Sequence, residues 1–482
     1  MNKQECAIKY VEDNYLQFNR LRHDIIADKL QVRCAHPIGD RLRAPHDTSV
    51  AGDPAEAKGE RQEQWREMTK HDINSIVCHA AQEYDANITS REVMTALQSD
   101  LIPDVHPLRE YILSLPPFTP DQPDWIDFVA SQVRVRTNNN EDTLIQQPKQ
   151  QITNNIPLAN TASGEGNNPI PSASEPSEHL NISSADRLWR GCFKKWFVAM
   201  VASWMKDEVV NHQVLVLIGK QGIFKTTWLE HLIPPHLRAY ACKLANSNDL
   251  NKDERLRIAE FGLISLDEID SMNNRELNQL KSVITATDVN ERAAYAYTKE
   301  RRVRLASFCA SGNRRDFLTD ITGNRRWLPF EVESIQNPFY TLLPYERMYA
   351  QAWALAQDPL FSYWFDLEEI EVMEQHNQYF RDESNEEQLL PILFDVPAEG
   401  RGEFMTTAQI SERLVTYGNI KKPMALSRLG MVLGAAGFRA VTRNAGSGRA
   451  RGWIVYQRDN DEIKALRRLL KDETSQLDTA IY

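Results

Sequence analysis

No apolar run in this 482-residue sequence approaches the roughly 20 residues that a membrane helix requires, so a bilayer-embedded protein is not expected. The N-terminal segment MNKQECAIKYVEDN also lacks the apolar core of a secretion signal, which makes the cytoplasm the expected compartment. Cysteine is sparse. Cys6, Cys34, Cys78, Cys192, Cys242 and Cys309 are scattered without a C-x-x-C pair, so neither a disulfide framework nor a zinc knuckle is indicated. Cys309, inside an apolar stretch, reads as a small core residue. Internal repeats are lacking, and so is a surplus of positive charge: the formal net charge is -11. Whole-chain charge describes solubility, however, while nucleic-acid binding depends on local patches. The charge here is segregated, with acidic residues gathered over 366–387 and basic ones dominant after Gly400.

The length suggests about three domains, and composition marks the joints. A helical N-terminal region is expected over 1–134, with helices at 72–84 and 90–101 and a short one over 125–133 after Pro103, Pro107, Pro116 and Pro117. It contains no convincing set of paired carboxylates, which disfavours primase chemistry. Residues 135–185 carry NNNEDT and ASGEGNNPIPSASEPSE, too poor in apolar residues to offset ordering, and read as a flexible linker. An amphipathic helix over 186–206, with Trp189, Phe193, Phe197, Val201 and Trp204 near one face, opens a core domain expected over 186–372. An acidic connector (373–400) follows, then a unit over 401–458 and a tail helix within 459–482.

The 401–458 unit begins with a capping box at Thr406 and Gln409 and a helix that Gly418 suits to end. A second helix (424–436) and two strands (438–443 and 452–457) around NAGSGRAR complete the outline of a winged helix, an α+β unit. Arg443, Arg449 and Arg451 on its wing are candidate phosphate contacts, and Arg428 is expected to face a groove. Protein binding is the alternative use of such a unit; the wing's charge favours DNA.

The strongest motif is LVLIGKQGIFKTT, a buried strand opening into a loop and then a helix. In a Walker A loop, backbone N–H groups point inward at a polyphosphate. Gly219, Lys220, Gln221, Gly222, Ile223, Phe224, Lys225, Thr226 and Thr227 are therefore the candidate nucleotide-binding residues. Lys225 would reach the β- and γ-phosphate oxygens, and Thr226 would hold Mg²⁺. Phe224 departs from the pattern, which has glycine before the lysine, so a stiffer loop or weaker nucleotide binding is expected. Downstream, FGLISLDEID is an apolar strand ending in two carboxylates, with Asp267 as a metal ligand and Glu268 as the residue polarising the attacking water. A third apolar strand, RLASFCAS, leads to Asn313, a candidate γ-phosphate sensor. The polar turn TGNRRW then supplies Arg325 and Arg326 as candidate arginine fingers, which can act within one chain or in trans. A trans finger from a second copy implies an oligomeric enzyme; surface ion pairing of these arginines is the alternative.

Between the acidic strand and Asn313, a helix is expected over 273–286, with Leu277, Leu280 and Ile284 on one face. The following stretch, DVNERAAYAYTKERRVR, sets Tyr295 and Tyr297 beside Lys299, Arg301, Arg302 and Arg304. Rings for stacking and cations for phosphates suit a single strand, and a hairpin packed on the core with solvated charges outside suits the pattern equally.

Together the GKQGIFKTTW, LDEID, ASGN and TGNRRW segments resemble the virulence-associated protein E family, P-loop ATPases of phages and mobile genetic elements related to superfamily 3 helicases. The resemblance extends to HPLREY with the following LPPF and to FKKWF, and Arg292 and Tyr295 look like a family feature too. It implies a DNA-dependent ATPase acting in replication of a mobile element. The expectation is thus an α/β P-loop NTPase core, with a helical N-terminal region and a C-terminal winged-helix-like α+β domain. Its expected ligands are ATP and Mg²⁺, and its partner is DNA, single-stranded or forked. A homo-oligomer is expected, a hexameric ring being one candidate, with no membrane association. The alternatives are an ATP-gated DNA-binding regulator or defence switch that does not unwind, and a structural assembly protein whose loop is degenerate at Phe224.

Overall fold

The computed structural model describes residues 1–34, 64–136, 183–244, 252–291, 300–319, 324–398, 402–445 and 448–468. The N-terminal unit is built from α1 (Lys3–Val11), β1 (Leu21–Asp24), β2 (Lys29–Cys34), β3 (Gln64–Glu67), α2 (Lys70–Glu83), α3 (Ser90–Leu97) and β4 (Asp104–Val105). Its strands form a sheet in the order β3-β2-β1-β4. The region expected to be helical is therefore mixed α/β. Sequences such as LRHD and QWRE are short and charged, so they offer too few apolar alternations to read as strands. Ala7, Val11, Leu21, Ile76, Ala80, Val93 and Leu97 close a separate small core beneath them.

The next residues belong to the central unit rather than to the N-terminal one. They form α4 (Pro107–Ser114), α5 (Trp125–Ala130) and β5 (Val133–Val135), and β5 pairs antiparallel with a strand some 200 residues later, at Val332 to Ile335. A boundary at 134 is thus corrected: the join lies near 106. After the residues that are not described comes α6 (Ser184–Met205), a helix buried almost all round. Trp189, Trp196 and Trp204 are fully buried on it, and each indole N–H donates to a backbone carbonyl, those of Ala130, Phe308 and Gly262 respectively. Lys194 and Lys195 pair outward with Asp124 and Glu369, at 2.6 and 2.5 Å. The HPLREY segment serves the same seam, with His106 capping α4 and Arg109 donating to the Trp204 carbonyl at 2.8 Å.

The central sheet adds β6 (Val214–Ile218), β7 (Ala241–Leu244), β8 (Leu263–Leu266), β11 (Ser307–Gly312) and β12 (Trp327–Ile335) to β5, in the order β5-β12-β6-β11-β8-β7. All but the β5 edge run parallel. Parallel strands are covered on both faces, which is why β6, β8 and β11 read as continuous buried runs instead of alternating ones. Leu215, Leu217, Cys309 and Phe330 face α6; Val216, Ile218, Leu266 and Ala310 face the opposite layer. That layer contains α8 (Lys252–Glu260) and α9 (Asn274–Thr285), while α7 (Lys225–His231) starts directly after the loop that leaves β6. Beyond α9, β9 (Asp288–Glu291) and β10 (Glu300–Val303) form a two-stranded antiparallel hairpin outside the main sheet.

After β12 come α10 (Tyr345–Gln357), α11 (Leu367–Gln378) and α12 (Asn385–Leu393), so the expected acidic connector is largely helical and packed. Fully buried Asn377 on α11 donates to the carbonyls of Asn324 and Trp327, fixing the turn that carries Arg325 and Arg326. The last unit contains β13 (Phe394–Asp395), β14 (Glu403–Thr406), α13 (Thr407–Gly418), α14 (Leu426–Ala435), β15 (Arg439–Ala445) and β16 (Gly448–Gln457). Strand β16 pairs antiparallel with β14 on one side and β15 on the other. Arg428 on α14 does not face an open groove: its guanidinium donates to the Thr319 carbonyl at 3.0 Å, which ties this unit to the central one. Among the described residues no helix is long and apolar enough to cross a membrane.

Candidate functional site

Three neighbouring parallel strands, β6, β11 and β8, deliver their C-terminal ends to one place. Strand β6 leads into Gly219, where a Cβ would lie 2.6 Å from the Val332 carbonyl oxygen, so only glycine lets the loop turn this close to β12. Gly222 has φ +86, again suited to glycine. Lys220 and Gln221 are exposed at the loop's tip; Ile223 and Phe224 are half-buried below it. Lys225, 7 % exposed, curls back so that its Nζ donates to the carbonyls of Gly219 (2.8 Å) and Lys220 (2.7 Å) and to Asn313 Oδ1 (3.3 Å). Burial lowers its pKa, and the nearby Asp270 and Asp267 carboxylates oppose the shift.

One residue on, Thr226 Oγ1 donates to Asp267 Oδ1 at 3.1 Å, and Ser311 Oγ lies 2.9 Å from the threonine and 2.7 Å from the same carboxylate oxygen. The other oxygen, Oδ2, pairs with Lys243 Nζ at 2.9 Å. Burial alone would raise the Asp267 carboxyl, but hydrogen bonds from Lys243, Ser311 and Thr226 outweigh it and hold the group below its ordinary range. One carboxylate with two hydroxyls is a hard-oxygen set of the kind that holds a hydrated divalent cation through few protein ligands. No cluster of three or more His, Cys, Asp or Glu suited to a metal occurs among the described residues.

Glu268 follows with an exposed side chain and a left-handed backbone (φ 52, ψ 48). Phe224 is the second such residue at the site, at φ 67 and ψ 17. Left-handed non-glycine residues cost on the order of 1–3 kcal/mol each and persist where surrounding structure enforces them. Two of them bracketing one cluster mark it as a place where side-chain direction matters more than backbone comfort.

Sequence reading missed Asp270. Its Oδ1 accepts the Asn313 N–H and its Oδ2 the Arg314 N–H, both at 3.1 Å, so it sets the loop that presents Asn313. A Cβ on Gly312 would lie 2.8 Å from the same Oδ1, so that glycine admits the contact. Ser311 and Lys243 were missed too. Only the third acidic residue of LDEID (Asp270 lies three after Asp267) carried any signal, and a short turn hides which carboxylate points where.

Arg325 and Arg326 are not brought to this cluster. They precede Trp327, which pairs with Val214 at the entry of β6, whereas Ile218 at its exit pairs with Glu331. Four residues of strand separate the two ends, roughly 13 Å. Grouping all four motifs at one site of one chain is therefore corrected, because β12 runs parallel to β6 and its N-terminal turn must lie at the opposite end. Arg325 is exposed there; burial, then the charge of Arg325, lowers the pKa of half-buried Arg326.

Of the candidate DNA residues, Arg292, Tyr295, Tyr297 and Lys299 lie outside the described residues. Arg301 stands on β10, opposite Asn290. Arg302 is paired with Asp28 at 2.9 Å and Glu260 at 3.7 Å, linking the hairpin to the N-terminal unit. Arg304 is corrected outright. It is 1 % exposed and donates to the carbonyls of Ala306 (3.1 Å), Ala286 (3.2 Å), Asn211 (2.9 Å) and Ile284, capping the C-terminal end of α9. On the C-terminal hairpin, Arg449 and Arg451 are exposed on one face of β16. Arg443 pairs with Ala450 between them and so takes the other face, its guanidinium 5.1 Å over the Phe404 ring.

The class defined so far is a mixed α/β protein whose parallel sheet gathers a buried lysine, two hydroxyls and carboxylates at its strand ends. Residues 174–388 match the model of the Virulence-associated protein E-like domain. No curated protein matches. Among solved structures, "The apo structure of NrS-1 C terminal region (305-718)" is 11 % identical with a TM-score of 0.40, covering 94 % of this chain and 99 % of that one. "The A form apo structure of NrS-1 C terminal region-CTR" is similar to the same degree, at 11 % identity and TM-score 0.41, covering 91 % and 98 %.

Proposed function

We propose that this chain is a P-loop ATPase that drives work on DNA, a helicase or translocase acting in replication of a phage or other mobile element. The observation that carries the reading is the convergence of Lys225, Thr226, Asp267 and Asn313 at the ends of β6, β8 and β11. In it the loop of residues 219–224 offers backbone N–H groups to a polyphosphate, and Lys225 exchanges its carbonyl partners for phosphate oxygens. Phosphoryl transfer needs positioning and charge neutralisation more than covalent chemistry, and these residues supply both. Glu268, exposed and held by its left-handed backbone, orients the attacking water. Asn313, fixed by Asp270, reads the terminal phosphate.

Mg²⁺ fits the same residues. Lys243 already places a cation against Asp267 Oδ2, so this carboxylate accepts positive charge where Thr226 and Ser311 converge. When bound, the ion would neutralise charge on the transferring phosphate; Thr226 and Asp267 would hold it.

Arg325 and Arg326 lie too far from the cluster to serve it within one chain, which favours a finger donated by the next copy in a homo-oligomer such as a ring. The C-terminal unit reads as a winged helix, its Arg449 and Arg451 contacting phosphates. A regulator that binds DNA under nucleotide control without unwinding is the competing reading. A forked duplex distinguishes them: DNA-stimulated ATP hydrolysis accompanied by strand separation is expected, and hydrolysis without separation would favour the regulator. Absence of hydrolysis, with or without DNA, would reject the ATPase.

A further inference from the structure

The chain leaving β12 carries a ring that no role above uses. Asn337 builds a turn, its Oδ1 accepting the Phe339 N–H at 3.0 Å and its carbonyl the N–H groups of Tyr340 and Thr341 at 3.1 and 3.2 Å. Tyr345 ties this segment to the end of α7 by donating to the His231 carbonyl at 2.7 Å. The turn holds Phe339 beside α7. Its ring meets Phe224 at 6.4 Å and His231 at 5.5 Å between centroids, both nearly perpendicular, at 81° and 86°. Despite these contacts Phe339 remains 64 % exposed. A large ring fixed by two edge contacts and a built turn, yet open to solvent, is a platform lacking its stacking partner.

The sheet order says what would cover it. Asp267 and Glu268 follow β8, two strands from β6 on one side, while β12 adjoins β6 on the other. A triphosphate lying along the loop with its terminal phosphate toward those carboxylates sends its nucleoside the other way, toward β12 and the segment after it. We infer that Phe339, backed by Phe224 and His231, is the stacking platform for the base of the bound nucleoside triphosphate. This rests on the phosphate-site reading and adds to it a reason for the bulky residue at 224: the ring that departs from the loop pattern buttresses the base site.

Stacking on an aromatic ring is worth enough that its removal weakens binding on the order of tenfold or more. The test measures equilibrium binding of ATP and of inorganic tripolyphosphate to the full-length protein, as wild type, Phe339→Ala and Phe339→Trp. Phe339→Ala is expected to lose ATP affinity by that factor while binding tripolyphosphate as wild type does, and Phe339→Trp to restore ATP binding. Unchanged ATP affinity in Phe339→Ala, or equal loss for both ligands, would overturn the platform with the phosphate site intact. Failure of wild type to bind either ligand would instead remove the phosphate site and the platform with it.

Discussion

Replacing Arg304 with methionine separates a structural arginine from a DNA-binding one, although both stand in one basic run. The guanidinium is 1 % exposed, has no carboxylate partner among the described residues, and is satisfied by the carbonyls of Ala306, Ala286, Ile284 and Asn211. Burial lowers its pKa to about 9, so it stays charged at neutral pH. Methionine fills similar volume but strands several buried carbonyls, each costing about 1–3 kcal/mol. It also removes the cation at the end of α9, worth about 0.3–1 kcal/mol and up to ~2 when partly buried. Release of the desolvation already spent on the charge offsets part of this, leaving a net loss of about 3 kcal/mol from the stranded carbonyls and the lost cap. At about 2–4 °C per kcal/mol, thermal unfolding of the central unit should shift down by roughly 10 °C. Differential scanning calorimetry reads the shift. A change below about 2 °C, together with DNA affinity lowered in a salt-dependent way, would refute the buried role and return Arg304 to the DNA-contacting set.

Arg449→Gln with Arg451→Gln should leave the melting temperature in place and flatten the dependence of log affinity for DNA on log salt by about 2 in slope, one per phosphate contact; an unchanged slope would remove this hairpin from the interface. His106 gives a pH test, because burial first and then Arg109 lower its pKa from 6.5 to about 4. The unfolded chain then binds the extra proton between those values, so the stability tied to a neutral His106 is complete above pH 6.5 and lost as pH falls toward 4. His106→Asn, which keeps an N-cap acceptor, should flatten that acid limb in unfolding measured from pH 7 to 4. For the arginine turn, mixing inactive Arg325→Ala,Arg326→Ala protein with inactive Lys225→Ala protein should restore part of the hydrolysis, since each supplies what the other lacks. No recovery from mixed subunits that do assemble would argue against a shared site.

Much of the central sheet was legible because parallel strands buried on both faces carry uninterrupted apolar runs, as VLVLI and LISL do. The shared position of three residues could be read from order along the chain: Asp267 and Asn313 directly follow such runs, and Lys225 opens the helix after the loop that leaves the first of them. The N-terminal sheet was not legible, since LRHD and QWRE hold too few apolar residues to show a period. Nor was the distance of Arg325 and Arg326 from Lys225, because a motif's order along the chain is silent about which end of a parallel strand it occupies. Arg304 misled for a related reason. Its neighbours Arg301 and Arg302 make it look like part of a charged surface, and only the packing of α9 against β11 shows it turning inward.

The central claim is that the loop before α7 binds the phosphates of ATP while the carboxylates after β8 serve its hydrolysis. Calorimetric titration of ATP, with and without Mg²⁺, into wild type, Lys225→Ala and Glu268→Gln, paired with phosphate release, tests it most directly. The account predicts that Lys225→Ala loses binding and turnover together, and that Glu268→Gln binds ATP as wild type does while releasing no phosphate. Wild-type binding and turnover in both variants would contradict it.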